Sequence, residues 1–194
     1  MAWFIDFALV AALASVLAVL TFNRVSALVT DVPELAARGG FDLLASRGDV
    51  IGASGNVGVS LWDKSVLYVE QAFGVLVVTT FLYQWGCLAL AGRTLGKGLT
   101  GLRVTPRVPG RAALRAAVTT ATDVAVYAVA CVLLVEGEIL LSVLVWAVAV
   151  ALFLFNALPV LGPGHRSLAD RVAGTSVTGL GLSTAGAMRP VRTS

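Results

Sequence analysis

The stretch that most constrains this chain is Gly92 to Arg115, GRTLGKGLTGLRVTPRVPGRAALR. It carries Arg93, Lys97, Arg103, Arg107, Arg111 and Arg115 and no acid. Long apolar runs flank it on both sides. A dense basic interval between apolar runs is the pattern of a connection held on the cytoplasmic side of a membrane. A nucleic-acid binder would spread its bases over a soluble face instead, so the net charge of +3 is read as an orientation signal and no nucleic-acid partner is expected. The composition supports this. The chain is 58% hydrophobic and 13% charged, whereas a soluble domain carries roughly 25% charge and under half apolar residues. The lipid bilayer is therefore the expected solvent for much of the surface, and 194 residues suit one unit rather than two.

The apolar runs predict an all-α integral membrane fold of four transmembrane helices arranged as two hairpins, with spans at about 3–28, 66–91, 112–135 and 139–161. The first run is read as a retained helix rather than a signal peptide, because it lacks a basic start and continues past Ala12-Leu13-Ala14. Ala8, Ala11, Ala12, Ser15 and Ala18 form a small-residue seam on it. Residues 29–65 read as an outer loop with balanced charge. Asp31-Val-Pro-Glu34 opens a surface helix in it, and Gly52, Gly55 and Gly58 mark loop. Residues 92–111 form the basic cytoplasmic connection, and its glycines, Pro106 and Pro109 forbid a continuous helix. Within it Leu102 to Thr105 reads as a short strand, open to pairing with the β-prone Thr175 to Thr178. Pro159 ends the last span and Gly162-Pro-Gly164 breaks the chain. Ser167-Leu-Ala-Asp170 reads as a capping box, with Gly174 as the C-cap of the short helix it opens. The transmembrane domain so defined covers 1–178, and 179–194 reads as a mobile C-terminal tail. Four spans with both termini in the cytoplasm place every basic connection inside, the topology of a multi-pass membrane protein.

Acids within the spans carry the functional signal. Arg115, Thr119, Asp123 and Tyr127 recur every four residues, one polar stripe on an apolar helix. An ionised carboxylate in mid-membrane costs at least about 2.5 kcal/mol, so Asp123 needs a partner, water or a proton. It reads as a cation or proton site with Thr119 and Tyr127 as neighbouring oxygens, or as an interhelical hydrogen bond or an ion pair with Arg115. Glu70 lies inside the second run, on one side of the helix with Asp63 and Gln84. It can share that site or sit near the outer interface. Asp6 lies near the inner interface, placed either for direct function or to pair with a base of the Arg93 to Arg115 segment. Asp170 is explained by its cap and by pairing with Arg166 one turn earlier.

Other chemistry finds little support. Gly96-Lys97 has the wrong spacing for a phosphate loop and no Ser or Thr follows it. With one histidine, His165, and with Cys87 and Cys131 far apart, no metal site and no cofactor is expected. No nucleophile–base pair stands out, so no enzymatic activity is expected. Arg93, Lys97, Arg103, Arg107 and Arg111 are suited to contact anionic lipid headgroups.

Three pieces together resemble the RDD family of small multi-pass membrane proteins. They are Ile5-Asp6 in the first span, Gly92-Arg-Thr-Leu-Gly-Lys-Gly-Leu-Thr-Gly-Leu-Arg-Val104 followed by Arg115, and Arg166-Ser-Leu-Ala-Asp170-Arg171-Val-Ala-Gly-Thr175. The resemblance carries Gly92, Gly96, Lys97, Gly101, Arg103, Arg115, Asp170, Arg171, Gly174 and Thr175 as motif positions. It makes Asp6 and Asp170 the two named acids. The family's Arg would precede Met1, and its His before the second Asp is Ala169 here. The resemblance implies a location in a prokaryotic plasma membrane and a role related to transport, since some members resemble sodium/proton antiporters. The leading expectation is thus a membrane protein that binds or moves a monovalent cation or proton through Asp6, Asp123 and Glu70, with Arg115 and Arg166 as charge partners. Four helices are few to enclose a pathway, so a homo-oligomer is expected. The alternative is a non-catalytic accessory or scaffold subunit of a larger cell-envelope complex.

Overall fold

The computed structural model describes residues 2–30, 50–105, 108–158 and 167–179. The surface helix expected at Asp31 to Glu34, Arg107, Pro159, the break at Gly162 to Gly164, His165, Arg166 and the tail from 180 onward lie outside the described residues.

Four helices are long and apolar enough to cross a membrane. Helix α1 is Ala2–Thr30, and α2 is Val50–Ala91. The third span begins as α4, Pro109–Thr120, passes through one π-helical turn, Ala121–Ala125, and continues as α5, Val126–Val135. The fourth is α6, Ile139–Ala157. Between α2 and α4 lie a short helix α3, Leu95–Leu99, and strand β1, Leu102–Thr105. After α6 come a short helix α7, Leu168–Ala173, and strand β2, Ser176–Gly179.

Two boundaries differ from the sequence reading. Helix α2 starts at Val50, so Gly52, Gly55 and Gly58 are helical rather than loop. Glycine costs a helix only about 1 kcal/mol each, and no proline interrupts the chain from 50 to 91 to stop it. The third span is not one regular helix. Its π turn sends the Val126 N–H to Ala121 O, one residue beyond the regular α-helical acceptor.

Pro109 sits in the first turn of α4, where its missing N–H costs nothing. Helix α1 packs on α2, α2 on α4 and α5, and α5 on α6. Trp3 closes the ring by lying 5.8 Å from Phe153 of α6. At the opposite end of the α1–α2 hairpin the Arg24 guanidinium lies 5.8 Å over the Tyr68 ring. No residue of α1 is buried, and the Ala8 to Ala18 seam faces outward. Among lipid chains that exposure costs nothing.

The polar elements gather at one end of the bundle, where α1 and α4 begin and α2 and α6 finish. There β1 and β2 pair antiparallel, Leu102 opposite Gly179 and Thr105 opposite Ser176. Val104 of β1 buries against Leu88 of α2 and Ala112 of α4. This small cluster fixes the strand pair to the bundle. Helix α7 lies against α4 and also touches α6.

Candidate functional site

Three carboxylates, Asp6, Asp170 and Asp123, organise this end of the molecule, each through different partners. Asp6 is one turn into α1. Its Oδ2 accepts from the Thr94 hydroxyl at 2.6 Å, and its Oδ1 accepts from the Gly96 N–H at 3.0 Å and the Tyr83 hydroxyl at 3.1 Å. Tyr83 in turn accepts from the Leu95 N–H at 3.2 Å. The Asp6 carboxylate and the Tyr83 hydroxyl therefore satisfy one opening N–H each of α3, Gly96 and Leu95, which the Thr94 side chain does not cap. Gly96 is demanded by this junction. A Cβ there would lie 2.1 Å from Ala2 O and 2.9 Å from the Asp6 carboxyl. Asp6 and Gly96 thus pin α3 against the start of α1.

The second cluster is buried. Arg115 on α4 donates through Nη1 to Asp170 Oδ1 on α7, and to the Thr175 hydroxyl at 3.0 Å. The Thr175 hydroxyl donates to Asp170 Oδ1 at 3.1 Å. The three residues are 5%, 3% and 2% exposed. Asp170 Oδ2 also accepts from the Ser167 N–H and hydroxyl, completing the capping box of α7. Gly174 closes that helix at φ 60°, in the left-handed region, and its carbonyl accepts from Arg111 at 3.3 Å. The pairing of Arg115 with Asp123 considered from the sequence does not form. Asp123 lies two turns deeper, whereas α7 brings Asp170 directly against the first turns of α4.

Asp123 sits in the π turn. Its Oδ1 accepts from the Thr122 hydroxyl at 2.9 Å and the Asn156 amide at 3.4 Å. Thr122 also lies within reach of Val118 O and Thr119 O, and its single proton serves one acceptor at a time. Asn156 uses its Oδ1 to accept from the Ala169 N–H of α7 at 3.3 Å. One amide therefore ties the carboxylate to the motif helix. Asn156 is the second-last residue of α6, so Asp123, midway along the third span, lies beside the end of that helix.

Lys97 follows Gly96 on α3. The residue as a whole is half-buried, and its ammonium lies within electrostatic range of Arg115, Asp6 and Asp123. Burial, helped by the Arg115 charge, pushes the ammonium down to about 7, against the pull of Asp6 and Asp123.

The sequence candidates therefore separate. Thr119 bonds back to Arg115 O at 2.9 Å, and Tyr127 packs edge-on to Trp146, 6.3 Å between ring centres. Neither bonds to Asp123. Glu70 stands at the other end of the bundle, lining an open recess with Trp62, Asp63 and Glu136. The thirteen residues from Asp123 to Glu136 span about 20 Å of helix, so Glu70 and Asp123 do not share a site. Arg171 is exposed and Arg93 and Lys97 are both half-buried, but Lys97, grouped with the lipid-facing bases, has its ammonium desolvated. Residues overlooked from the sequence are Tyr83, Thr94 and Asn156. Tyr83 and Asn156 are polar side chains within apolar runs, the same signal that singled out Asp123, whereas Thr94 lies three residues past one, in the basic connection.

The family model described as "RDD family" matches residues 1–174. No curated protein and no solved structure matches the chain.

Proposed function

The chain belongs to the RDD family of membrane proteins, and on that premise we propose that it binds and moves a small monovalent cation in exchange for a proton, with Asp123 as the working carboxylate and Lys97 as its proton-bearing counter-charge. The observation that carries this reading is the convergence of two brackets on one acid. Asp6 holds α3 through Gly96, and the neighbouring Lys97 ammonium lies within electrostatic range of Asp123. Asp170 and Arg115 hold α7 so that Ala169 fixes Asn156, which bonds Asp123. The two acids named by the family are positioning residues in this account, and the acid between them does the work.

The chemistry follows from charge. Asp123 has only neutral hydrogen-bond donors among the described residues, so its charge is balanced at a distance by Lys97. A cation entering the site competes with the ammonium. Loss of the Lys97 proton near neutrality removes that competitor, and its return expels the cation. Intramembrane acids facing an opposing base are the usual parts of proton-coupled pathways. In this orientation the basic end is cytoplasmic, in keeping with the excess of Lys and Arg there. Proteoliposomes given a sodium pulse should acidify or alkalinise according to the direction of the gradient, and Asp123→Asn should abolish the signal. A full response from Asp123→Asn removes that residue from the mechanism.

A non-catalytic accessory subunit is the second reading. Helix α1 favours it, since it buries no residue within the chain and leaves its small-residue seam outward. Mild-detergent purification then recovers a stoichiometric membrane partner and no sodium-driven proton signal in its absence.

A further inference from the structure

The bases at the polar end of the bundle are not equivalent. Arg115 is buried with Asp170, the one ion pair among the described residues. The Lys97 ammonium is desolvated. Arg111 and Arg171 are exposed, and neither has a carboxylate partner among the described residues. They come from segments far apart in the chain, and only Arg111 belongs to the basic connection.

The fold brings both to one corner. Arg111, in the first turn of α4, donates through Nη1 to Gly174 O at 3.3 Å. Gly174 closes α7, and its own N–H donates to Arg171 O at 3.3 Å. Arg171 is therefore one helical turn, about 5.4 Å, from the residue that holds Arg111. The buried face of α7 is Ala169, Asp170 and Ala173, which leaves Arg171, Val172 and Gly174 on its open face. The bond to Gly174 occupies one of the guanidinium's five N–H donors, so it fixes the group and leaves the others available.

Deeper along the third span the surface turns apolar. Arg111, Leu114, Ala117 and Ala121 are exposed at successive turns of one face. Leu114 is 45% exposed there, and Val172 of α7 is 49% exposed. Two arginines thus stand where a strip of exposed apolar residues begins. A phospholipid has its own groups in the same order, phosphate first and hydrocarbon next.

We propose that Arg111 and Arg171 bind the phosphate of one anionic glycerophospholipid, with its acyl chains against Leu114, Ala117 and Val172. Arginine forks match phosphate oxygens two at a time. A zwitterionic lipid carries an ammonium that competes for its phosphate, so the site favours a lipid whose only charge is the phosphate. On the orientation given above, this end meets the cytoplasmic leaflet, whose anionic headgroups attract basic segments. The lipid ties α7 to α4 from outside, beside the buried Arg115–Asp170 pair. The site is independent of the cation reading.

The test uses the delipidated full chain in neutral-detergent micelles, with dioleoylphosphatidylglycerol, dioleoylphosphatidylcholine or inorganic phosphate as the probe. The thermal unfolding midpoint of the wild type should rise with phosphatidylglycerol and stay level with the other two. Each base near an anionic headgroup contributes about fivefold in affinity, so the lipid needed should rise about fivefold in Arg171→Gln and about thirtyfold in Arg111→Gln/Arg171→Gln. The Arg171 side chain has no ion pair among the described residues, so Arg171→Gln keeps the test decisive where the double variant does not fold. Arg93→Gln, at the same end, should keep the wild-type response. A wild type indifferent to phosphatidylglycerol, or an Arg171→Gln response equal to that of the wild type, overturns the site. So does an Arg93→Gln loss as large as that of Arg171→Gln, which would mean diffuse attraction to charge. Equal stabilisation by phosphatidylcholine would mean an apolar strip alone, and by inorganic phosphate an anion site without a lipid, and either result overturns the proposal.

Discussion

Asp170 and Asp123 are both carboxylates held among apolar helices at the same end of the bundle, yet their surroundings differ in kind. Asp170 faces a guanidinium, a threonine hydroxyl and both donors of its own helix cap, and it is buried with its counter-ion. Asp123 is half-buried and receives one hydroxyl and one amide, both neutral. Under the function proposed above, the difference separates holding from working. A charge neutralised in place by a fixed partner has little left to offer a ligand. A charge supported by neutral groups, with a desolvated lysine only in electrostatic range, can change partner.

The contrast can be broken from either side. The largest effect belongs to the fixed pair. Arg115→Ala leaves Asp170 buried without its counter-ion, which costs about 3–5 kcal/mol. The detergent-solubilised variant should unfold at a sharply lower temperature or fail to accumulate. Arg115→Met combined with Asp170→Asn leaves no unpaired charge and should recover much of that loss, and a double variant no better than Arg115→Ala would mean that the pair is not the anchor described. Next comes Gly96→Ala, which drives a methyl into Ala2 O and the Asp6 carboxyl. Overpacking of this kind costs about 1–3 kcal/mol. It should also disturb the proton response by moving Lys97, so wild-type flux from a destabilised Gly96→Ala would break the Asp6 bracket. Ser167→Ala removes the cap of α7 for about 1 kcal/mol, visible as a modest fall in the unfolding midpoint. Asp123→Asn should have the smallest effect on stability, because the amide keeps an oxygen for Thr122 and Asn156 while its charge is lost. An unfolding midpoint that fell as far as that of Arg115→Ala would make Asp123 another anchor.

What was legible in the sequence follows the range of the physics. Four apolar stretches are a local property, and so are the cap of Ser167 and Asp170 and the left-handed Gly174. The motif glycine at 96 was legible as a position, but its reason was not, because the clash that forbids a side chain comes from α1, ninety residues earlier in the chain. The partner of Arg115 depends on how α7 docks on α4, and spacing along one helix pointed instead to Asp123. The π turn carries no residue signature in Ala-Thr-Asp-Val-Ala, yet it helps decide where Asp123 points. Lys97 read as one more surface base among six, since nothing in a glycine-rich basic segment marks which charged end is desolvated.

The most direct test of the account is the pH dependence of sodium-driven proton flux in proteoliposomes of the wild type and Lys97→Gln. Lys97 is held near 7 in the fold, well below the usual range of a lysine. Its ammonium opposes a cation at Asp123 below that pH, and the opposition disappears as pH rises through it. Wild-type flux should therefore rise across about pH 7, and Lys97→Gln, carrying no charge at any pH, should lose that rise. A Lys97→Gln profile with the same midpoint and slope as the wild type would contradict the pairing of Lys97 with Asp123.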